Sequence, residues 1–230
     1  ICHCLVGSEM CIRDSGYAVL APDLPGHGLS EGAPLTSIAE MADWVDELLA
    51  SLGVESATIV AHSQGVLVAL EAAKRHPQRV NALALIAGAM AIPVNDMLID
   101  MAKTKPEKAF KAMTSWGHGP GAHKFDNTQP GHAFLGYGRR VMAQNDAAAL
   151  HADLVACNSY DGGEDAAAAV TQPSLCLIAG RDRMTPAKFG HRMAAAISGS
   201  QTRQFDRAGH FLPAEFPLEV NDALADFLAR

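Results

Sequence analysis

The sequence predicts a parallel α/β fold: a sheet of buried strands with helices packed against both faces. Three observations carry that expectation. Short apolar, β-branched runs such as Thr58-Ile59-Val60 and Leu175-Cys176-Leu177-Ile178 alternate with stretches of helical length and periodicity. The turn segments bearing Ser63, Asp182 and His210 each follow directly on a strand-like run, which places all three on one rim of a parallel sheet. A chain of 230 residues, 49% hydrophobic and 19% charged, is long enough to bury one substantial core. The net charge of −7 comes without a basic stripe, so nucleic acid is not an expected partner. No apolar run reaches the length of a membrane span, so no membrane is expected either. The sequence leaves the oligomeric state open.

Residues 1–15 stand apart. Leu5-Val6-Gly7-Ser8-Glu9-Met10-Cys11-Ile12-Arg13-Asp14 resembles, residue for residue, one translated frame of a transposase sequencing adapter, and Cys4 and Ser15 fit its flanks. Residues 1–15 are therefore expected to be a non-native segment, outside the reasoning about the fold. On that reading the native start is missing and no leader can be read. Cys2, Cys4 and Cys11 fall in this segment, which leaves Cys157 and Cys176. Two cysteines make no disulfide framework, and a reducing, cytoplasmic setting is the expectation.

Residues 17–21 read as a short strand running into the loop Asp23-Leu24-Pro25-Gly26-His27-Gly28-Leu29-Ser30, where two glycines and a proline make a tight turn. Ser37 with Glu40 forms a capping box that opens a helix. The apolar face of that helix is Ile38, Met41, Ala42, Val45, Leu48, Leu49 and Leu52, and Gly53 is its stop. Trp44 lies off that face. A buried strand follows over 57–60, then Ala61-His62-Ser63-Gln64-Gly65, then a buried helix to Arg75. A serine on a sharp strand-to-helix turn has its hydroxyl pushed outward, and the N–H of the next residue points from a helix N-terminus toward the same place. Such a turn needs small residues two places to either side, and Ala61 and Gly65 provide them. A further strand spans 82–87.

Over residues 92–172 the strand signal disappears. Glycines, prolines and histidines cluster between Gly117 and Gly131, and residues 96–104, 106–116, 132–143 and 146–157 look helical. This stretch reads as a helical cap inserted into an α/β core made of residues 16–91 and 173–230. Strand–helix alternation resumes with a strand at 174–179, a helix over 186–197, a strand at 202–205 and a last helix over 217–228.

The matching stretches are Asp23-Leu24-Pro25-Gly26-His27-Gly28, Ala61-His62-Ser63-Gln64-Gly65, Gly180-Arg181-Asp182 and Ala208-Gly209-His210, in the chain order serine, aspartate, histidine. Together they make residues 16–230 resemble a capped serine hydrolase of the α/β-hydrolase fold. The usual turn motif is G-x-S-x-G, so Ala61 is a small departure. The resemblance implies Ser63 as nucleophile, His210 as base, Asp182 as acid and the Gln64 backbone N–H as an oxyanion donor. The chemistry agrees: a serine hydroxyl attacks only when a neutral imidazole takes its proton and a carboxylate steadies that imidazole. The resemblance also implies a second oxyanion donor on a strand lying between residues 17–21 and 57–60. No His-Gly-type loop precedes Gly16, so that donor and its strand are expected to be missing and the activity of this chain to be low.

The implied substrate is a small carboxylic ester or related acyl compound, cleaved through an acyl-enzyme. A carbon–carbon bond hydrolase or lactonase on the same fold is the enzymatic alternative, and a non-catalytic small-molecule binder is the alternative of another class. No cofactor is implied. His118, His123 and His132 have no metal-ligand spacing and no cysteine among them, so no metal is expected. His27, Trp116 and Phe134 are the candidates for lining the substrate pocket, and His62 is read as packing beneath the turn. Asp161 and Glu164 compete with Asp182 for the acid's place, but neither follows a strand.

Overall fold

A computed structural model of the chain describes residues 16–125, 134–145 and 147–229. The expectations for residues 1–15, for His132 and for a helix start at Asp146 lie outside the described residues. So do the side chains of His123 and Phe134.

The described strands form one parallel sheet in the order β1 (Ala57–His62), β2 (Val80–Ile86), β3 (Ser174–Ala179), β4 (Gln201–Phe205). Past a register shift between Ala57 and Thr58 at the start of β1, Ala61 faces Leu85, Leu85 faces Cys176, and Ala179 faces Phe205. Every residue of β3 is buried, as expected of a strand covered on both faces.

Strand alternation divides the core in two. Leu83, Leu85 and Cys176 point to a face filled by Val66 and Leu70 of α2 (Gln64–Arg75) and by Met193 of α9 (Ala187–Ala196). Ala84, Ile86, Leu175 and Leu177 point to the other face. There they meet Leu212 of α10 (Leu212–Glu215) and Val220, Leu224 and Phe227 of α11 (Pro217–Leu228).

Helix α1 (Ile38–Ser51) starts as expected. Ser37 Oγ accepts the Glu40 N–H, while the Glu40 carboxylate reaches past Ser37 to the N–H and hydroxyl of Thr36. Its buried stripe of Ile38, Met41, Ala42 and Leu49 packs on Leu67, Val68 and Ala72 of α2. Leu52 is the exception on that face. It is the C-cap and is exposed, because the helix ends before its position turns back to the core.

One predicted strand is absent. Residues 17–21 have no strand conformation, and Leu20 is 52% exposed. A strand exists only with a ladder partner, and none among the described residues pairs with this segment or with the outer edge of β1.

Between β2 and β3 the described residues are helical and contain no strand: α3 (Asp96–Thr104), α4 (Pro106–Gly117), α5 (Pro120–Phe125), α6 (Phe134–Met142), α7 (Ala147–Ser159) and α8 (Gly163–Ala169). Leu98, Ala102, Ala109, Met113 and Leu154 give this insertion an apolar centre of its own. Ala156 and Cys157 of α7 join the core against α1 and α2. No helix among the described residues is long and apolar enough to cross a membrane.

Candidate active site

Ser63 sits where β1 ends and α2 begins. Its backbone is held at φ 55°, ψ −122°, and among the described non-glycine residues only Ser63 and Ala87 have a positive φ. The strain is maintained by the ladder on one side, through Ser63 N–H to Ile86 O at 3.1 Å, and by α2 on the other. A Cβ placed on Gly65 would meet the Ala61 Cβ at 3.7 Å, an ordinary contact. The turn thus demands small side chains rather than two glycines, which explains why Ala61 fits. Gln64 is the first residue of α2, so its N–H has no intrahelical acceptor and is available at the helix N-terminus.

Three side chains form a continuous hydrogen-bonded line. Ser63 Oγ donates to His210 Nε2 at 2.8 Å, and His210 Nδ1 donates to Asp182 Oδ2 at 2.8 Å. His210 and Asp182 are buried, while Ser63 is half-buried. Asp182 follows β3 and is the carboxylate that meets the imidazole. Glu164, its rival in the sequence, pairs instead with Arg192 on the surface.

The other oxygen of Asp182 accepts the N–H groups of Met184 and Thr185, both at 2.8 Å. The Thr185 hydroxyl lies 2.7 Å from both Asp182 Oδ2 and Ala87 O, and its single proton serves one or the other. Burial alone would raise the Asp182 pKa. The facing His210 and the Thr185 hydrogen bonds outweigh it and hold the carboxyl below the usual value, so it stays ionised.

His62 does more than pack. Its Nε2–H donates to the His210 carbonyl at 2.6 Å, fixing the backbone of the residue that must present its ring to Ser63. Full burial, with His210 next to it, brings its pKa down to about 3, so it is a neutral donor at any working pH.

The loop carrying His210 is gripped by the helical insertion. His210 N–H donates to Gly117 O at the end of α4. A buried Glu215 carboxylate accepts from Gly119 N–H at 2.9 Å and from Gly209 N–H at 3.2 Å, bridging insertion and loop. Burial, the larger influence, raises the Glu215 pKa despite these two N–H donors. Gly209 has to be glycine here, since a Cβ would come within 2.2 Å of Gly119 N. Phe211 then stacks on the His118 ring at 4.6 Å.

Two cavities are described, and only the larger borders a member of the line, Asp182. One of about 520 Å³ is bordered by His118, Pro120, Arg181, Asp182 and Arg183. The other, about 40 Å³, is bordered by His27, Phe110, Met142, Asn145, Leu150 and Asp153. Ser63 borders neither among the described residues.

His27, the loop histidine singled out in the sequence, thus lies on a cavity. Its Nδ1–H donates to Pro25 O at 3.1 Å and its Nε2–H to Asp153 Oδ2 at 3.0 Å. Burial works against its charge, but the Asp153 carboxylate prevails and raises its pKa. Trp116, on α4, is 42% exposed and borders neither of these two cavities. Phe134 begins α6.

Sequence reasoning passed over Glu215, Asp153 and Thr185. The two acids carried a signal: each is a lone carboxylate in an apolar stretch, Phe211-Leu212-Pro213-Ala214-Glu215-Phe216 and Ala152-Asp153-Leu154-Val155. Buried acids of this kind are held by specific partners. Thr185 carried none.

Comparison with known proteins gives the family and the fold. Residues 10–223 match the model described as Alpha/beta hydrolase family. RutD of Klebsiella pneumoniae (strain 342), provisionally named a carbamate hydrolase, is 27% identical over 240 residues, covering 96% of this chain and 85% of its own. The enol-lactonase from Burkholderia xenovorans LB400 superposes with a TM-score of 0.88 at 22% identity, covering 98% of this chain and 87% of its own. The esterase EaEST from Exiguobacterium antarcticum gives a TM-score of 0.89 at 17% identity, covering 100% and 88%. At those identities the two structures speak to the fold.

Proposed function

Since this chain belongs to the alpha/beta hydrolase family and is a hydrolase-fold enzyme, we propose that it cleaves a small carboxylic ester or related acyl compound through a covalent acyl-serine. The observation that carries this reading is the line Ser63 Oγ–His210 Nε2, His210 Nδ1–Asp182 Oδ2, with 2.8 Å at each link, standing at a strained turn.

In the proposed mechanism His210 Nε2 takes the hydroxyl proton as Ser63 Oγ attacks the substrate carbonyl. Asp182 keeps the Nδ1 proton in place and stabilises the imidazolium that forms. The negative charge that develops on the carbonyl oxygen falls at the N-terminus of α2, toward the Gln64 N–H. The ester C–O bond breaks, His210 returns the proton to the departing alcohol, and Ser63 is left acylated. Water then attacks the acyl carbon, giving its proton to His210, and Ser63 departs with that proton as the acid is released.

We also propose that the helical insertion serves as a cap over Ser63, because it supplies most of the border of the smaller cavity and the grip on the His210 loop. A lactone is a cyclic ester, so the lactonase alternative uses the same steps with one product in place of two. The test is exposure to a fluorophosphonate probe alongside hydrolysis of nitrophenyl esters of short acids. The reading requires a covalent probe adduct on Ser63 and ester turnover that the adduct abolishes. An adduct elsewhere, or turnover that survives full labelling, contradicts it.

A further inference from the structure

We propose that the small cavity bordered by His27, Phe110, Met142, Asn145, Leu150 and Asp153 is a recognition site for an uncharged group that both donates and accepts a hydrogen bond, namely a hydroxyl or primary amide on the acyl part of the substrate. This rests on the acyl-serine reading above.

The decisive group is Asp153 on α7. One of its carboxylate oxygens, Oδ2, accepts from His27 Nε2–H at 3.0 Å. The other, Oδ1, is buried and has no hydrogen-bond partner among the described residues. A carboxylate oxygen withdrawn from water without a donor is costly, and a ligand that brings a donor recovers that cost.

Asn145 supplies the complement. Its Oδ1 accepts the Gly28 N–H at 2.9 Å, which fixes the amide orientation and leaves its NH₂ to offer the cavity. The site therefore presents one acceptor and one donor, and the remaining border of Phe110, Met142 and Leu150 is apolar.

Charge narrows the choice further. Both ring nitrogens of His27 face acceptors, Pro25 O and Asp153 Oδ2, and the neighbouring Asp153 carboxylate favours the charged ring, so the carboxylate already has its counter-charge. An ammonium or carboxylate placed there has no counter-charge. At about 40 Å³ the space exceeds the roughly 10–15 Å³ one water needs, and it suits a group of a few atoms.

The site is also tied to the reacting centre. Gln64 Nε2–H donates to the Asp153 carbonyl at 3.0 Å, and Gln64 directly follows Ser63. Bound groups are thus registered against the turn that holds the nucleophile.

The test compares kcat/KM for the 4-nitrophenyl esters of hexanoic, 3-hydroxyhexanoic and 6-hydroxyhexanoic acid. At least one hydroxylated ester should exceed hexanoate by about 10- to 100-fold, the range of a hydrogen bond to a charged acceptor. The preferred position reports how far the cavity lies from Ser63. Leu150→Phe fills the cavity without altering the His27–Asp153 pair, and it should bring the ratio close to one. In Asp153→Asn a single oxygen faces two donors, and the ratio should also fall.

A turnover-independent measurement accompanies these. In methionine-methyl-labelled Ser63→Ala protein, the preferred hydroxy acid should shift the Met142 resonance and hexanoate should not. A ratio near one for both hydroxylated esters in the unmodified protein, with Met142 silent, would show a cavity that holds water only and would overturn the proposal. If no ester is hydrolysed and no probe adduct forms, the acyl-serine reading fails instead, while the Met142 response still decides the cavity.

Discussion

The rim of the sheet and the helical insertion hold the same three side chains by different means. Ser63 and Asp182 are fixed from the sheet side: Ser63 N–H extends the ladder to Ile86 O, and the Asp182 carboxylate is cradled by the Met184 and Thr185 N–H groups just past β3. His210 is tied to the insertion through Gly117 O and the Glu215 bridge between Gly119 and Gly209, and to the core through His62, its bond to Asp182 and the Arg181 N–H to Ala208 O. Two of the reacting groups thus belong to the rigid core, and the third is suspended between core and insertion. The contrast teaches that displacement of the insertion bears on the base before it bears on the nucleophile.

Substitutions separate the two means of support, and the largest effect belongs to the nucleophile. Ser63→Ala should lower kcat for ester hydrolysis by roughly 10⁴-fold or more. Its melting temperature should barely move, because a half-buried turn hydroxyl adds little to stability. Loss of activity together with loss of folding would instead make Ser63 a structural residue.

Next comes the grip on the base. Gly209→Ala forces a Cβ against the Gly119 backbone, where neither strand of chain has a flexible side chain to yield. Activity should fall about 10²-fold, and stability by about 1–3 kcal/mol for the overpacking. Fluorophosphonate labelling should slow in parallel, since the probe also requires His210 in place. Unaltered labelling would mean that the insertion does not position the base.

The prop from the sheet gives a pH signature. His62 has a pKa of about 3 in the folded protein against an ordinary value near 6.5. Between those values the unfolded chain binds the proton and the folded one does not. Stability contributed by this residue is therefore complete above about 6.5 and is lost as the pH falls toward 3. His62→Gln retains an N–H donor for the His210 carbonyl but does not titrate. Denaturant melts from pH 7 to pH 4 should show a shallower acid decline in the variant, with most esterase activity kept at pH 7. An identical acid decline would mean that His62 is not neutral when folded.

The smallest effect tests the turn. Gly65→Ala adds a Cβ that meets Ala61 at 3.7 Å, within ordinary contact, and it removes a glycine from the first turn of α2. Stability should rise or hold within about 1 kcal/mol, and activity should stay within a few-fold of the starting protein. A collapse like that of Gly209→Ala would show that the turn, too, requires glycine.

How much of this was legible in the sequence follows from what each part depends on. The strands β1 to β4 and helices α1, α2 and α11 could be read closely, because buried runs and single apolar faces leave local patterns. Ser63, Asp182 and His210 were legible because each ends a strand-like run, and the rim of a parallel sheet brings strand ends together without knowledge of side-chain packing. The strand assigned to residues 17–21 was not secure, because an apolar run carries no information about whether a neighbour pairs with it. The Glu215 bridge and the His27–Asp153 pair join residues far apart in the chain or split across the insertion, and no local pattern reports them.

The most direct test of the account is to stop the reaction midway. The protein is mixed with excess 4-nitrophenyl hexanoate, quenched in acid within milliseconds to seconds, digested, and weighed peptide by peptide. The account predicts a hexanoyl group on the peptide that contains Ser63, appearing in step with a burst of nitrophenol and absent from the Asp182 and His210 peptides. Ester turnover with the Ser63 peptide unmodified at every time, or with the acyl group on another residue, would contradict it.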